Sequence, residues 1–159
     1  MSSQQIAVRE VPEGEQSIQE LEASFALAVR QRELLAEYIK ARLLPEKHYY
    51  TFSDGQKPSL NKDGAEVICQ PQSLKPRYTQ NAGPEQPPED DTPYQITVTC
   101  ALMNGERFGG EGIGSASSHI TKKTGERVVR MRDIGLRQNA TLKMAQNSAY
   151  IAASLNATA

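Results

Sequence analysis

Apolar and polar positions alternate most regularly between Tyr94 and Met103. Ile96, Val98, Cys100 and Leu102 fall on one side of an extended chain, and Thr97 and Thr99 on the other. This is the pattern of a half-buried strand. Asn104-Gly105, a pair favoured in type I′ turns, follows at once, so Glu106 to Ser115 is expected to return as the second arm of a hairpin. That arm contains Gly109, Gly110, Gly112 and Gly114, which weaken strand propensity. They predict a bulge or the close approach of another backbone, either a tightly packed helix or a DNA strand.

Helical spacing takes over at both ends. Ser17 is placed to cap a helix, with Glu20 three residues on, and Leu21, Phe25, Ala28, Leu35, Tyr38, Ile39 and Arg42 carry a stripe to about Leu44, before Pro45 stops it. A final helix is expected from about Leu136 to Asn156. Leu136, Ala140, Met144, Ser148, Ile151 and Leu155 form its stripe, with Ala145, Ala149 and Ala152 beside it as small residues suited to close packing on a sheet. Between these helices, His48 to Gln56 reads as a short strand running into the Asp54-Gly55 turn. Ser59 to Cys69 reads as a short helix ended by Pro71, and Lys75 to Gln80 as the start of a further strand. The first sixteen residues are polar and rich in helix breakers and are expected to be a mobile tail. Asn81 to Pro93, with four prolines and four acids, is expected to be an exposed, mobile loop inside a single domain spanning 17–159. The pattern as a whole predicts an α+β fold: an antiparallel hairpin or meander sheet packed against a long N-terminal helix and a C-terminal helix.

Composition narrows the function. The chain has 159 residues, no Trp and only three Phe, so large core anchors are few, and partner subunits are expected to complete the core. No run approaches the length of a membrane span and no secretory signal opens the chain, so the protein reads as cytoplasmic. Cys69, Cys100, His48 and His119 lack metal-ligand spacing and read as structural; no cofactor is expected. The Ser115–His119 neighbourhood has no nucleophile-elbow frame, and the glycines after Gly109 lack the Gly-Lys-Ser/Thr ending of a phosphate loop. Glu89, Asp90 and Asp91 sit in the Pro-rich loop, where a rigid acid-base site is hard to preorganise. Charge is the remaining feature with chemical direction. From Ala116 onward seven bases oppose two acids (7 − 2 = +5), and since the whole chain carries −1, the first 115 residues carry −6. Lys122, Lys123, Arg127, Arg130, Arg132, Arg137 and Lys143, with Lys75 and Arg77 on the earlier strand, are the candidate contacts to a phosphate backbone.

The order of short motifs then carries a resemblance. Lys62-Asp-Gly-Ala-Glu66 lies on the short helix, Gly112-Ile-Gly114 closes the hairpin, and Asn139-Ala-Thr-Leu-Lys-Met-Ala145 opens the last helix. Over about residues 57–158 the chain resembles the phage and prophage single-strand annealing proteins and, more distantly, the eukaryotic recombination mediator Rad-fifty-two. The resemblance implies a β-β-β-α core and oligomeric rings or filaments. Single-stranded DNA would lie along a basic groove with its bases exposed for pairing, with an exonuclease as partner. Lys143 best matches a family DNA contact. Relatives carry further bases where this chain has Met144 and Asn147-Ser148. The expected function is non-enzymatic strand annealing. The alternatives are a structural protein of the same fold without DNA binding, or a nuclease using the acids set aside above.

Overall fold

The structure, a computed structural model, describes residues 13–51 and 57–158. Helix α1 spans Glu13–Arg42, so the last four residues of the expected tail are helical, while residues 1–12 and the Asp54-Gly55 turn lie outside the described residues. The helix belongs to a separate compact unit that ends at Lys40. Along its apolar stripe Leu21 and Phe25 are exposed, Phe25 at 64%, whereas Leu35, Tyr38 and Ile39 are half-buried.

The second unit, from Ala41, holds the sheet. A minimal pair of strands, β1 (Tyr49–Tyr50) and β2 (Ser59–Leu60), precedes helix α2 (Lys62–Cys69). Asn61 caps α2 by accepting from the Gly64 amide at 2.8 Å and ties it to the preceding segment by donating to the Lys47 carbonyl at 2.6 Å. Strands β3 (Lys75–Ala82), β4 (Gln95–Asn104) and β5 (Arg107–Ser117) form an antiparallel sheet in that order. A second hairpin follows, β6 (His119–Thr121) with β7 (Arg127–Val129), where sequence patterning shows only a polar turn. Helix α3 (Ile134–Asn156), capped by Asp133, closes the chain.

The main hairpin turns one residue later than expected. Asn104 pairs with Arg107, leaving Gly105-Glu106 as the loop, with Gly105 at φ 61°. Leu102 pairs with Gly110 and Met103 with Phe108, so Gly109 is the extra residue of a bulge. Beyond it, Gly110, Gly112, Gly114 and Ala116 lie opposite Leu102, Cys100, Val98 and Ile96 on one buried face. Helix α3 lies directly on this glycine strip. A Cβ at Gly112 would fall on the backbone of Ala153 and Ala149, and one at Gly114 on that of Ala149 and Ala145.

This contact decides which side of α3 is buried. The inward face is Arg137, Thr141, Ala145, Ala149, Tyr150, Ala153 and Ser154, whereas Leu136, Met144 and Leu155 of the expected stripe are exposed. The small residues, not the large ones, meet the sheet, because only short side chains let the helix backbone come this close. Under α3 the core gathers Ile96, Val98, Cys100 and Leu102 with Ala65, Cys69 and Leu74. Both cysteines are free and buried. Burial, and then the neighbouring Cys69, pushes the Cys100 thiol up to about 11, and burial pushes Tyr78 up to about 12.

Two outcomes follow from this core. Gly114→Ala drives a methyl into helix backbone, and a loss of about 3 kcal/mol is expected in urea unfolding; an unchanged midpoint would mean a looser helix–sheet contact. Stability should also depend on alkali. A thiol whose folded value is raised contributes fully below its ordinary value of 9.0 and loses that contribution as pH rises towards about 11. The urea midpoint is expected to fall across that window in the parent chain and to fall less in Cys100→Ala.

Candidate nucleic-acid interface

The β6–β7 hairpin is built as a projection from the end of the sheet. Ser118, fully buried, forms the joint: its amide donates to the Tyr94 carbonyl at 2.9 Å, and its carbonyl accepts from the Arg130 amide at 3.0 Å. Its hydroxyl accepts from the Tyr94 amide at 3.0 Å and lies 2.9 Å from His119 Nδ1. The Ser-His neighbours thus serve as a buried structural link, with no exposed nucleophile.

Between Ser118 and Arg130 the hairpin carries four bases, Lys122, Lys123, Arg127 and Arg130, against one acid, Glu126, and Arg132 follows beside Asp133 in the segment leading to α3. The tip is tight, with the Gly125 amide donating to the Lys122 carbonyl at 2.9 Å and Gly125 at φ 84°. Lys122 is partly neutralised by Glu126 at 3.0 Å in an exposed pair, and Arg130 is half-buried, its Nε donating to the Ser117 carbonyl at 2.7 Å. Lys123, Arg127 and Arg132 are exposed and have no ion-pair partner among the described residues.

Two further bases stand apart from them. The strand register puts Lys75, Arg77 and Thr79 on the sheet face opposite α3, with Thr97, Thr99, Ala101 and Met103 of β4 and Glu111, Ile113 and Ser115 of β5. Lys75 pairs with Met103 and the hairpin joint lies beyond Gln95. At strand rise, eight residues separate the two basic groups by on the order of 25 Å. Phe108, 58% exposed, and Ile113, 63% exposed, occupy the same open face.

Arg137 must be removed from the candidate contacts. It is 1% exposed, and its guanidinium is consumed inside the chain. Nε donates to the Met131 carbonyl at 2.7 Å, Nη1 to the Asp90 carbonyl at 3.4 Å, and Nη2 to the Arg132 carbonyl at 3.1 Å and the Asp91 carboxylate at 3.0 Å. Its role is to staple the segment between β3 and β4, which has no regular structure, to the start of α3. Gln138 adds a long contact from its side-chain amide to the Glu85 carbonyl at 3.5 Å. The acids of this segment are therefore not only solvated charge: Asp91 pairs with Arg137, and Asp90 accepts from Thr92, which holds its carboxyl below the usual range. Lys143 is exposed on α3, about 160° around the helix from buried Ala145, so it points away from the sheet.

The short motifs resolve into packing. Gly64 lies under the His48 carbonyl with no room for a Cβ, Ala65 is fully buried, and Lys62 and Glu66 form an exposed pair at 3.5 Å. Gly112 and Gly114 receive α3, and Ala145 is the residue received. Among the described residues no three His, Cys, Asp or Glu side chains converge as metal ligands, and no helix is long and apolar enough to cross a membrane. No protein-family model, curated protein or solved structure matches the chain.

Removal of the Arg137 side chain leaves the Met131, Arg132 and Asp90 carbonyls without their donor. Arg137→Ala is expected to cost about 3 kcal/mol in urea unfolding. Asp91→Asn, at a carboxylate 74% exposed, is expected to cost below about 1 kcal/mol. A stable Arg137→Ala chain that bound DNA more weakly would place Arg137 at the surface instead.

Proposed function

We propose that this chain is a non-enzymatic, single-stranded DNA-binding protein of the strand-annealing type, acting in the cytoplasm as a homo-oligomer, ring or filament. The observation that carries the reading is the β6–β7 hairpin, which presents Lys123 and Arg127 on a short, anchored projection, with Arg132 exposed just after it; none of the three has an ion-pair partner among the described residues. Cations held this way neutralise successive phosphates and release condensed counterions, a sequence-independent source of affinity. Lys75 and Arg77 offer a second phosphate contact on the open sheet face, where exposed Phe108 offers a stacking surface for a base. The motif resemblance to the annealing proteins supports the same reading. No bond is made or broken: the strand is held extended with its bases free to meet a complement. An exonuclease that generates single strands is the partner this role calls for.

Fluorescence anisotropy with a labelled oligothymidylate tests it. Binding is expected to weaken with salt, and each phosphate contact removed by Lys123→Ala or Arg127→Ala should reduce the slope of log affinity against log salt by about 0.7. Absence of binding at low salt, or an unchanged slope in the double variant, would overturn the proposal.

A further inference from the structure

Helix α1 carries an apolar seam at the spacing of a coiled coil. Ile18, Leu21, Phe25, Ala28, Arg32, Leu35 and Ile39 follow one another at alternating steps of three and four residues, the 3.5-residue period that keeps one line of side chains facing a partner helix. Ile18 is 59%, Leu21 55% and Phe25 64% exposed. A thirty-residue helix draws most of its stability from covering such a seam.

Charge along the same helix says what covers it. From Ser17 to Leu27 there are two acids, Glu20 and Glu22, and no bases, giving −2. From Ala28 to Arg42, Arg30, Arg32, Lys40 and Arg42 oppose Glu33 and Glu37, giving 4 − 2 = +2. A second copy of the helix laid parallel and in register would set Arg32 against Arg32 in the seam. Laid antiparallel, it sets the acidic half of each copy along the basic half of the other. With Phe25 facing Ala28, a large side chain meets a small one. Ile18 then faces Leu35, and Arg32 faces Leu21 beside Glu22 of the other copy.

We propose that α1 pairs with α1 of a second copy of this chain as an antiparallel two-stranded coiled coil. The contact is two-fold and self-complementary. It is separate from any contact between sheets that builds a ring or filament, and it does not depend on DNA binding.

Spin labels on cysteines introduced singly in the full chain, Gln19→Cys and Ala26→Cys, test the pairing directly, with the parent chain taken through the same labelling as the baseline for buried Cys69 and Cys100. The two positions share one outer line of the helix. In the antiparallel pair the two Ala26→Cys labels lie almost level, while the two Gln19→Cys labels are offset along the axis by about 20 Å. A short inter-label distance at position 26 and a longer one at 19 is the expected result. Equal distances at both positions, or no dipolar signal above the baseline, would overturn it. Charge exchange gives an independent reading: Arg32→Glu should abolish the short distance, and Glu22→Arg with Arg32→Glu should restore it. Failure of the double change to restore it would contradict the antiparallel register.

Discussion

The approach of the α3 backbone to the glycine strip of β5 is the constraint from which the rest of the sheet unit follows. Three alternate residues without side chains, Gly110, Gly112 and Gly114, leave a channel that Ala145, Ala149 and Ala153 fill. Close packing of backbone against backbone lets a chain without Trp and with three Phe build a dry core from Ile, Val, Leu, Ala and Cys. It also fixes the rotation of α3 about its axis. Once the alanine line faces inward, Lys143 must face outward, and Leu136, Met144 and Leu155 are left exposed.

Rotation of the helix has an electrostatic consequence at its N-terminus. Arg137 lies on the same line as Thr141 and Ala145, so the helix buries it. A buried guanidinium is tolerated only when its donors are occupied, and here three carbonyls and the Asp91 carboxylate occupy them. The basic tail of the sequence therefore divides into a cation spent on structure and cations left at the surface. On the hairpin and just beyond it the same division recurs, with Lys122 paired and Arg130 bound to the Ser117 carbonyl, while Lys123, Arg127 and Arg132 remain exposed. Net charge along the chain overstates the number of unpaired surface cations for this reason.

Much of this fold was legible in the amino-acid order. The alternation from Ile96 to Leu102 marks β4, the helix stops at Pro45 and Pro71 lie close to the ends of α1 and α2, and the four glycines announce both a bulge and a close neighbour. What was not legible depends on partners distant in sequence. The stripe of large residues misled on the buried side of α3, because Leu136, Met144 and Leu155 face outward, although the small residues Ala145 and Ala149 had marked the face that meets the sheet. The burial of Arg137 depends on Asp90 and Asp91, more than forty residues earlier. The β6–β7 hairpin is short and polar, held by the Ser118 joint instead of an apolar alternation that periodicity would reveal. Of the nine candidate bases, sequence proximity grouped Arg137 with its neighbours although its side chain points inward, and the single set also took in Lys75 and Arg77, which the strand register sets apart on the sheet.

The proposal that the β6–β7 hairpin binds a phosphate backbone is tested most directly by backbone amide chemical shifts of the labelled chain during titration with a short oligothymidylate. Shifts concentrated at 121–132, with smaller ones at 75–77 and almost none along the inward line of α3, are the result expected of a hairpin-centred electrostatic interface. Shifts confined to α1 or to the alanine line of α3, or no shifts at low salt, would contradict it.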